Sequence, residues 1–259
     1  MVWATNRKHK MILTHGVRLI GDALLALAYP QACAICNCSV EERRFGVVCE
    51  ACWSATKIFN GSEAMCWKCS LPFPGEISIE FREQVRCGRC DSHSYTVARS
   101  TGLYEGALRE SVLWLKRQPH VPPHLETLLM AAAGQEPLNA STRIMPVPLH
   151  EKRRRERGFN QAEVLAKSLS QALRLPLDDA NLVRVRESEK YRAGLDIKGR
   201  AATVAGSFQV RHPRLVQGET ILLVDDVLTS GATVSACAEA LIAAGASDIN
   251  VLTIARASL

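Results

Sequence analysis

The sequence has little that would commit it to a membrane or to export. A basic opening, Met1–Lys10, runs into a largely apolar stretch, Met11–Tyr29, but Arg18 and Asp22 interrupt it, and a spanning helix wants about 20 unbroken apolar residues. Pro30, Gln31 and Ala32 before Cys33 make a poor cleavage or lipoprotein signal. The segment 1–30 therefore reads as an amphipathic helix that packs on its neighbouring module or a partner, with loose membrane-surface contact as the alternative. Charge imbalance is also modest. A net +6 over 259 residues makes the distribution of charge more informative than its sum. Two familiar phosphate loops are missing as well. The chain's candidate loop has no lysine after its last glycine, as a Walker loop needs, and it is not a GxGxxG turn.

A disulfide framework is missing too, although cysteine is plentiful. Eight of the ten cysteines fall into CxxC pairs: Cys33/Cys36, Cys49/Cys52, Cys66/Cys69 and Cys87/Cys90. The groupings C-x2-C-x12-C-x2-C and C-x2-C-x17-C-x2-C are those of two tetrahedral four-thiolate zinc sites. Sequential pairing is the expected arrangement and interleaved pairing the alternative. Four thiolates close the coordination shell, so both sites are expected to be structural, and reduced thiols at this density point to the cytoplasm. Cys38 and Cys237 are expected to be packing residues. His93, three residues beyond Cys90, is a candidate replacement for a thiolate.

A hydrophobic content of 47% allows one good core and a smaller appended module. After the cysteines the chain alternates. Strands are expected at 97–104, 144–147, 182–186, 221–224 and 249–255, with helices at 107–116, 125–133, from the Asn160 capping box to about Leu173, and 233–244. This is α/β alternation. The most informative stretch is Ile221–Val234, ILLVDDVLTSGATV. An apolar strand delivers Asp225 and Asp226, two acceptors suited to a ribose diol, beside a small-residue loop at a helix N-terminus. Main-chain N–H groups there favour an anion, and Gly231 admits a phosphate close to the backbone.

That stretch closely resembles the signature of type I phosphoribosyltransferases, which bind 5-phosphoribosyl-1-diphosphate (PRPP). Pro146–Gln161, PVPLHEKRRRERGFNQ, concentrates Lys152, Arg153, Arg154, Arg155 and Arg157 where that family places its diphosphate loop, as in glutamine PRPP amidotransferases. The polar, basic stretch Arg184–Arg200 matches the flexible loop that closes over PRPP. More narrowly, the chain from about residue 24 onward resembles the ComF competence proteins and the related GntX group. The shared features are paired ribbons, a YxG…LK element at Tyr104–Lys116, RGFNQ at Arg157–Gln161, and VDDVLTSGAT. It departs from them at Tyr191 and Thr203, where relatives usually carry glutamine and asparagine.

The resemblance implies a type I phosphoribosyltransferase-like parallel sheet flanked by helices, with an N-terminal double zinc ribbon. The expected divisions are 1–30, 31–94 and 95–259. It implies PRPP bound with Mg2+, the site running over Asp225, Asp226, Val227, Leu228, Thr229, Ser230, Gly231, Ala232 and Thr233. Asp225 and Asp226 would be the catalytic pair on the ribose hydroxyls, and Thr229–Thr233 would take the 5-phosphate. Within the basic loop of Lys152, Arg153, Arg154 and Arg157, the diphosphate would fall to Arg154 and Arg157. The implied reaction is displacement of diphosphate from C1 of PRPP by a nitrogen nucleophile, with no acceptor legible. The alternative is a non-catalytic PRPP sensor or single-stranded-DNA-binding adaptor working with DNA-uptake proteins. The basic cluster also has a plainer reading as a solvated surface.

Overall fold

The computed structural model describes residues 31–75, 77–185 and 206–258. The expected segment 1–30, and the polar loop from 186 onward with Tyr191 and Thr203, lie outside the described residues. The central sheet has four parallel strands in the order β1 (Val97–Leu103), β6 (Asp248–Arg256), β5 (Thr220–Leu228), β2 (Arg143–Pro146). An antiparallel pair, β3 (Leu182–Arg184) and β4 (Phe208–Val210), stands apart from it. The helices are α1 (Glu50–Ser54), α2 (Gly106–Leu115), α3 (Pro123–Ala133), α4 (Glu151–Arg157), α5 (Gln161–Leu173) and α6 (Ala232–Ala243). Among the described residues no helix is long and apolar enough to cross a membrane.

Alternation along the central strands divides the core into two layers. Leu222, Val224, Leu252 and Ile254 face α2, α3 and α5, whose Leu108, Val112, Leu125, Leu129, Leu165 and Leu169 are buried against them. Ile221, Leu223, Ile249 and Val251 face the other way, onto Val234, Cys237 and Leu241 of α6. Asn160 opens α5 as expected, its side chain accepting from the Ala162 N–H at 3.1 Å.

The two ribbons belong to different layers. Val40, Phe45, Val48 and Trp53 of the first join the α3 layer, where the His124 ring lies edge-on to Phe45 and Trp53 at 5.0 and 4.6 Å. Cys66, Cys69, Cys90 and Tyr95 of the second join the α6 layer. The chain between the ribbons and the start of the second ribbon run along the outer edge of β1. Phe59 N–H donates to Thr101 O (2.8 Å), Ala98 N–H to Lys68 O (2.7 Å) and Ser70 Oγ to Ala98 O (2.7 Å). Gly102 permits this crossing, because a Cβ there would sit 2.6 Å from Lys57 O and from a Leu108 methyl.

Candidate phosphate site and metal centres

The cysteines gather in sequential pairs, Cys33/Cys36/Cys49/Cys52 and Cys66/Cys69/Cys87/Cys90, with all four sulfurs of each group within 4.8 Å of one another. Neighbouring sulfurs stand 3.6 Å apart for Cys36–Cys49, 3.5 Å for Cys66–Cys90 and 3.6 Å for Cys69–Cys87. Four sulfurs about 2.3 Å from a tetrahedral Zn2+ would be about 3.8 Å apart. None of these cysteines is in a disulfide, and main-chain N–H groups of Ile35 and Cys49 donate to Cys33 Sγ at 3.5 and 3.4 Å. The donor sets fit two structural zinc ions. One sequence expectation is corrected here, and one alternative ligand is set aside. Cys38 is exposed, so it is no packing residue, whereas Cys237 is fully buried. His93 stands outside the thiolate cluster and instead bonds Tyr95 through Nδ1 at 2.9 Å.

Strand β5 runs four residues beyond its expected end, so Asp225 and Asp226 lie within the strand, and alternation sends them to opposite layers. Asp226 faces the α2 and α5 side. Its carboxylate meets Lys116 Nζ at 3.1 Å and accepts from Gln161 Nε2 at 3.3 Å. Asp225 faces the α6 side beside Cys237; burial, and then the neighbouring Asp226, push its carboxyl well above the usual range. Thr229, Ser230 and Gly231 make the short turn into α6. Thr229 is exposed, and Gly231 caps the helix at φ +83° with its α-carbon against His93, where a Cβ would lie 2.6 Å from the ring. Val227 and Leu228 turn their side chains into the two core layers.

The basic segment expected as a loop is a helix. His150 caps α4 by accepting from Lys152 N–H through Nδ1 at 3.3 Å, Glu151 occupies the first turn, and Gly158 ends it in the left-handed region. The helix sorts its cations. Arg153 and Arg157, with Glu156 between them and Lys116 and Arg117 from the end of α2, line an open crevice of about 530 Å3. Arg154 lies elsewhere, paired with Glu163 at 2.9 Å, and Arg155 pairs with Glu151. Arg157 donates to Gln161, which also donates to Asp226, so the crevice and the acidic strand are joined by one bonded chain. Lys152 is exposed on the same helix.

Three contributors escaped the assignment of site roles from sequence. Lys116 closes the YxG…LK element and Arg117 follows it, and only the fold carries them to Asp226 and α4. Arg256, buried at the end of β6, donates from Nη1 to Leu228 O (2.8 Å), Thr229 O and Ala257 O (3.0 Å), and from Nε to Cys69 O (3.1 Å). It fastens the turn after β5 to a zinc-ligand residue of the second ribbon. An arginine closing an otherwise apolar strand was the signal for it.

Residues 160–258 match the model of the phosphoribosyl transferase domain, and residues 24–91 match that of the double zinc ribbon domain. A protein called DNA utilization protein YhgH from Escherichia coli K12 is 28% identical over 238 residues, covering 89% of this chain and 99% of its own. Competence protein F of Haemophilus influenzae is 34% identical over 115 residues, covering 44% of this chain and 50% of its own. Among solved structures, an allosteric regulatory enzyme of purine biosynthesis aligns over 55% of this chain and 30% of its own at 16% identity, with a TM-score of 0.36, too loosely to bear on function. The ribbon and transferase-domain matches, joined in one chain with a relative aligned over 99% of its own length, make the protein similar to the ComF-type proteins.

Proposed function

We propose that the protein binds PRPP with Mg2+ across the end of β5. Thr229–Thr233 would hold the 5-phosphate, Asp225 and Asp226 the ribose side with its metal, and Lys116, Arg117, Arg153 and Arg157 the diphosphate. The observation that carries this reading is a glycine-capped turn at the N-terminus of α6 following Asp226, which is bonded through Gln161 to a crevice lined by four cations and one carboxylate, Glu156. Such an arrangement suits a reaction in which the ribose ring gains positive charge as diphosphate leaves, since fixed carboxylates and guanidinium groups stabilise both partners. The nucleophile is left open. Names of relatives refer to DNA utilization and competence, and a DNA-handling role is proposed here on that basis.

Calorimetry with PRPP, with and without Mg2+, tests the reading. Binding that requires Mg2+ is expected, and no heat of binding in either condition overturns it. Diphosphate release with candidate acceptors then separates an enzyme from a sensor. A second reading, single-stranded DNA in the same crevice, is favoured by the exposure of Arg117 and Arg153 on an open surface, because the same guanidinium groups neutralise either kind of phosphate.

A further inference from the structure

A cavity of about 250 Å3 lies between the second ribbon, the edge strand β1 and α3, two strands away from the turn after β5. Its apolar wall is formed by Met65, Trp67, Leu128 and Ala131, and two arginines face it, Arg82 and Arg99. Arg99 is only 8% exposed, with its guanidinium stacked over the Trp67 ring at 4.5 Å. Its Nη1 donates to Trp67 O (2.6 Å) and Ala98 O (3.1 Å), and among the described residues its other two nitrogens make no bond. The Nε of Arg82 is buried without any hydrogen-bond partner. Among the described residues neither arginine has a carboxylate in ion-pair range. Glu63 lines the cavity but turns its carboxylate onto the N–H groups of Asn60 and Gly61, and Glu136 is exposed.

A buried guanidinium without a paired carboxylate is costly, and burial pulls Arg99 down to about 10; Arg82 is half-buried, with its Nε shut away from any partner. The nearby thiolates of the second zinc site offset part of the charge on Arg99, yet they accept nothing from Arg82 Nε. A cavity of about 150 Å3 already admits benzene, while drug-sized ligands need about 300 Å3 or more. This one is the size of a single ring bearing a small headgroup.

We propose that this cavity is a binding site for a small organic anion, a single-ring carboxylate or phosphate monoester, with the ring against Met65, Leu128 and Ala131 and the anionic group on Arg82 and Arg99. The site is independent of PRPP binding.

The test uses the zinc-loaded full chain, titrated with benzoate and with phenyl phosphate, against benzyl alcohol as the neutral ring and inorganic phosphate as the bare anion. At least one ring anion is expected to bind about tenfold or more tighter than either control, since a charge-assisted hydrogen bond adds about 1.5–3 kcal/mol. The tighter of the two anions identifies the headgroup class. Arg82→Gln should abolish the preference over benzyl alcohol while both zinc ions are retained. Should that variant lose zinc, Ala131→Phe, which fills the cavity from the helix side, should abolish ring-anion binding instead. Equal affinity for benzoate, phenyl phosphate and benzyl alcohol, or ring-anion binding that survives both variants, overturns the proposal. It would leave the arginines as charge compensation for the zinc thiolates alone.

Discussion

Asp225 and Asp226 are adjacent in sequence and opposite in surroundings. Asp226 answers to Lys116 and Gln161, whereas Asp225 sits beside Cys237 with its carboxyl pushed up by burial and by Asp226. Because the folded state holds the Asp225 proton more tightly than the unfolded chain, its contribution to stability is fully present below the ordinary carboxylate value, about 3.9, and is lost as pH rises. Asp225→Asn is therefore expected to raise the Tm of the ligand-free protein, with a gain that grows as pH rises above about 4. The same change and Asp226→Asn should each weaken PRPP by about tenfold to a hundredfold. Tm measured against pH checks the first effect and calorimetry the second. Gly231→Ala must both adopt φ +83° and displace His93, a strain of about 1–3 kcal/mol, and a lower Tm with weakened PRPP binding is expected. The acidic pair and the glycine were legible because ligand loops constrain residue type. Their division between two layers was not, because the strand end was placed at Val224 and the sheet continues to Leu228.

At the scale of elements, α4 departs most from what the sequence suggested. A charged run after a strand was read as a loop through its resemblance to diphosphate loops, yet Glu, Lys and Arg are good helix formers, and the segment carries an acidic first turn and a glycine stop. Helical geometry then decides which cations act together, favouring Arg153 and Arg157 over Arg154. If single-stranded DNA occupies the crevice through about three to five phosphates, log affinity should fall against log salt with a slope of about −2 to −4. Arg153→Gln with Arg157→Gln should flatten that slope and weaken PRPP together. DNA binding that is unchanged in this double variant, and indifferent to saturating PRPP, would show that DNA binds elsewhere. The second ribbon also bears on the turn after β5 through Arg256, His93 and the Ser94 N–H bond to Ser235 Oγ at 3.1 Å. Cys69→Ser is accordingly expected to weaken PRPP binding even though Cys69 lies outside the crevice, while the corresponding change in the first ribbon, Cys36→Ser, should leave it nearer to wild type. Calorimetry on both variants, with zinc content measured alongside, checks this.

For the whole molecule, the cysteine spacing disclosed the eight thiolates because four of them around one metal impose a short repeated gap; it favoured sequential pairing over interleaved, and the fold groups them sequentially. The strand alternation disclosed an α/β sheet. Neither could disclose that the two ribbons divide between opposite layers of the sheet, since that depends on long-range packing of Phe45, Trp53 and Tyr95, which carry no local periodicity. Shared cores imply shared fate. Chelation, which withdraws roughly 10 kcal/mol or more of metal-linked folding energy per site, should lower the Tm of the sheet as well as unfold the ribbons. Calorimetric scans before and after chelation measure this.

The chain that runs along β1 has one more consequence. By occupying Thr101 O and Ala98 N–H and O, it takes up main-chain groups that an uncovered outer strand would offer to any passing β-segment. An exposed strand edge of that kind is a template for intermolecular sheet growth. Metal-stripped chains are therefore expected to gather into β-rich oligomers at a rate that climbs with protein concentration, while zinc-loaded chains stay dispersed, as light scattering on the two forms would measure.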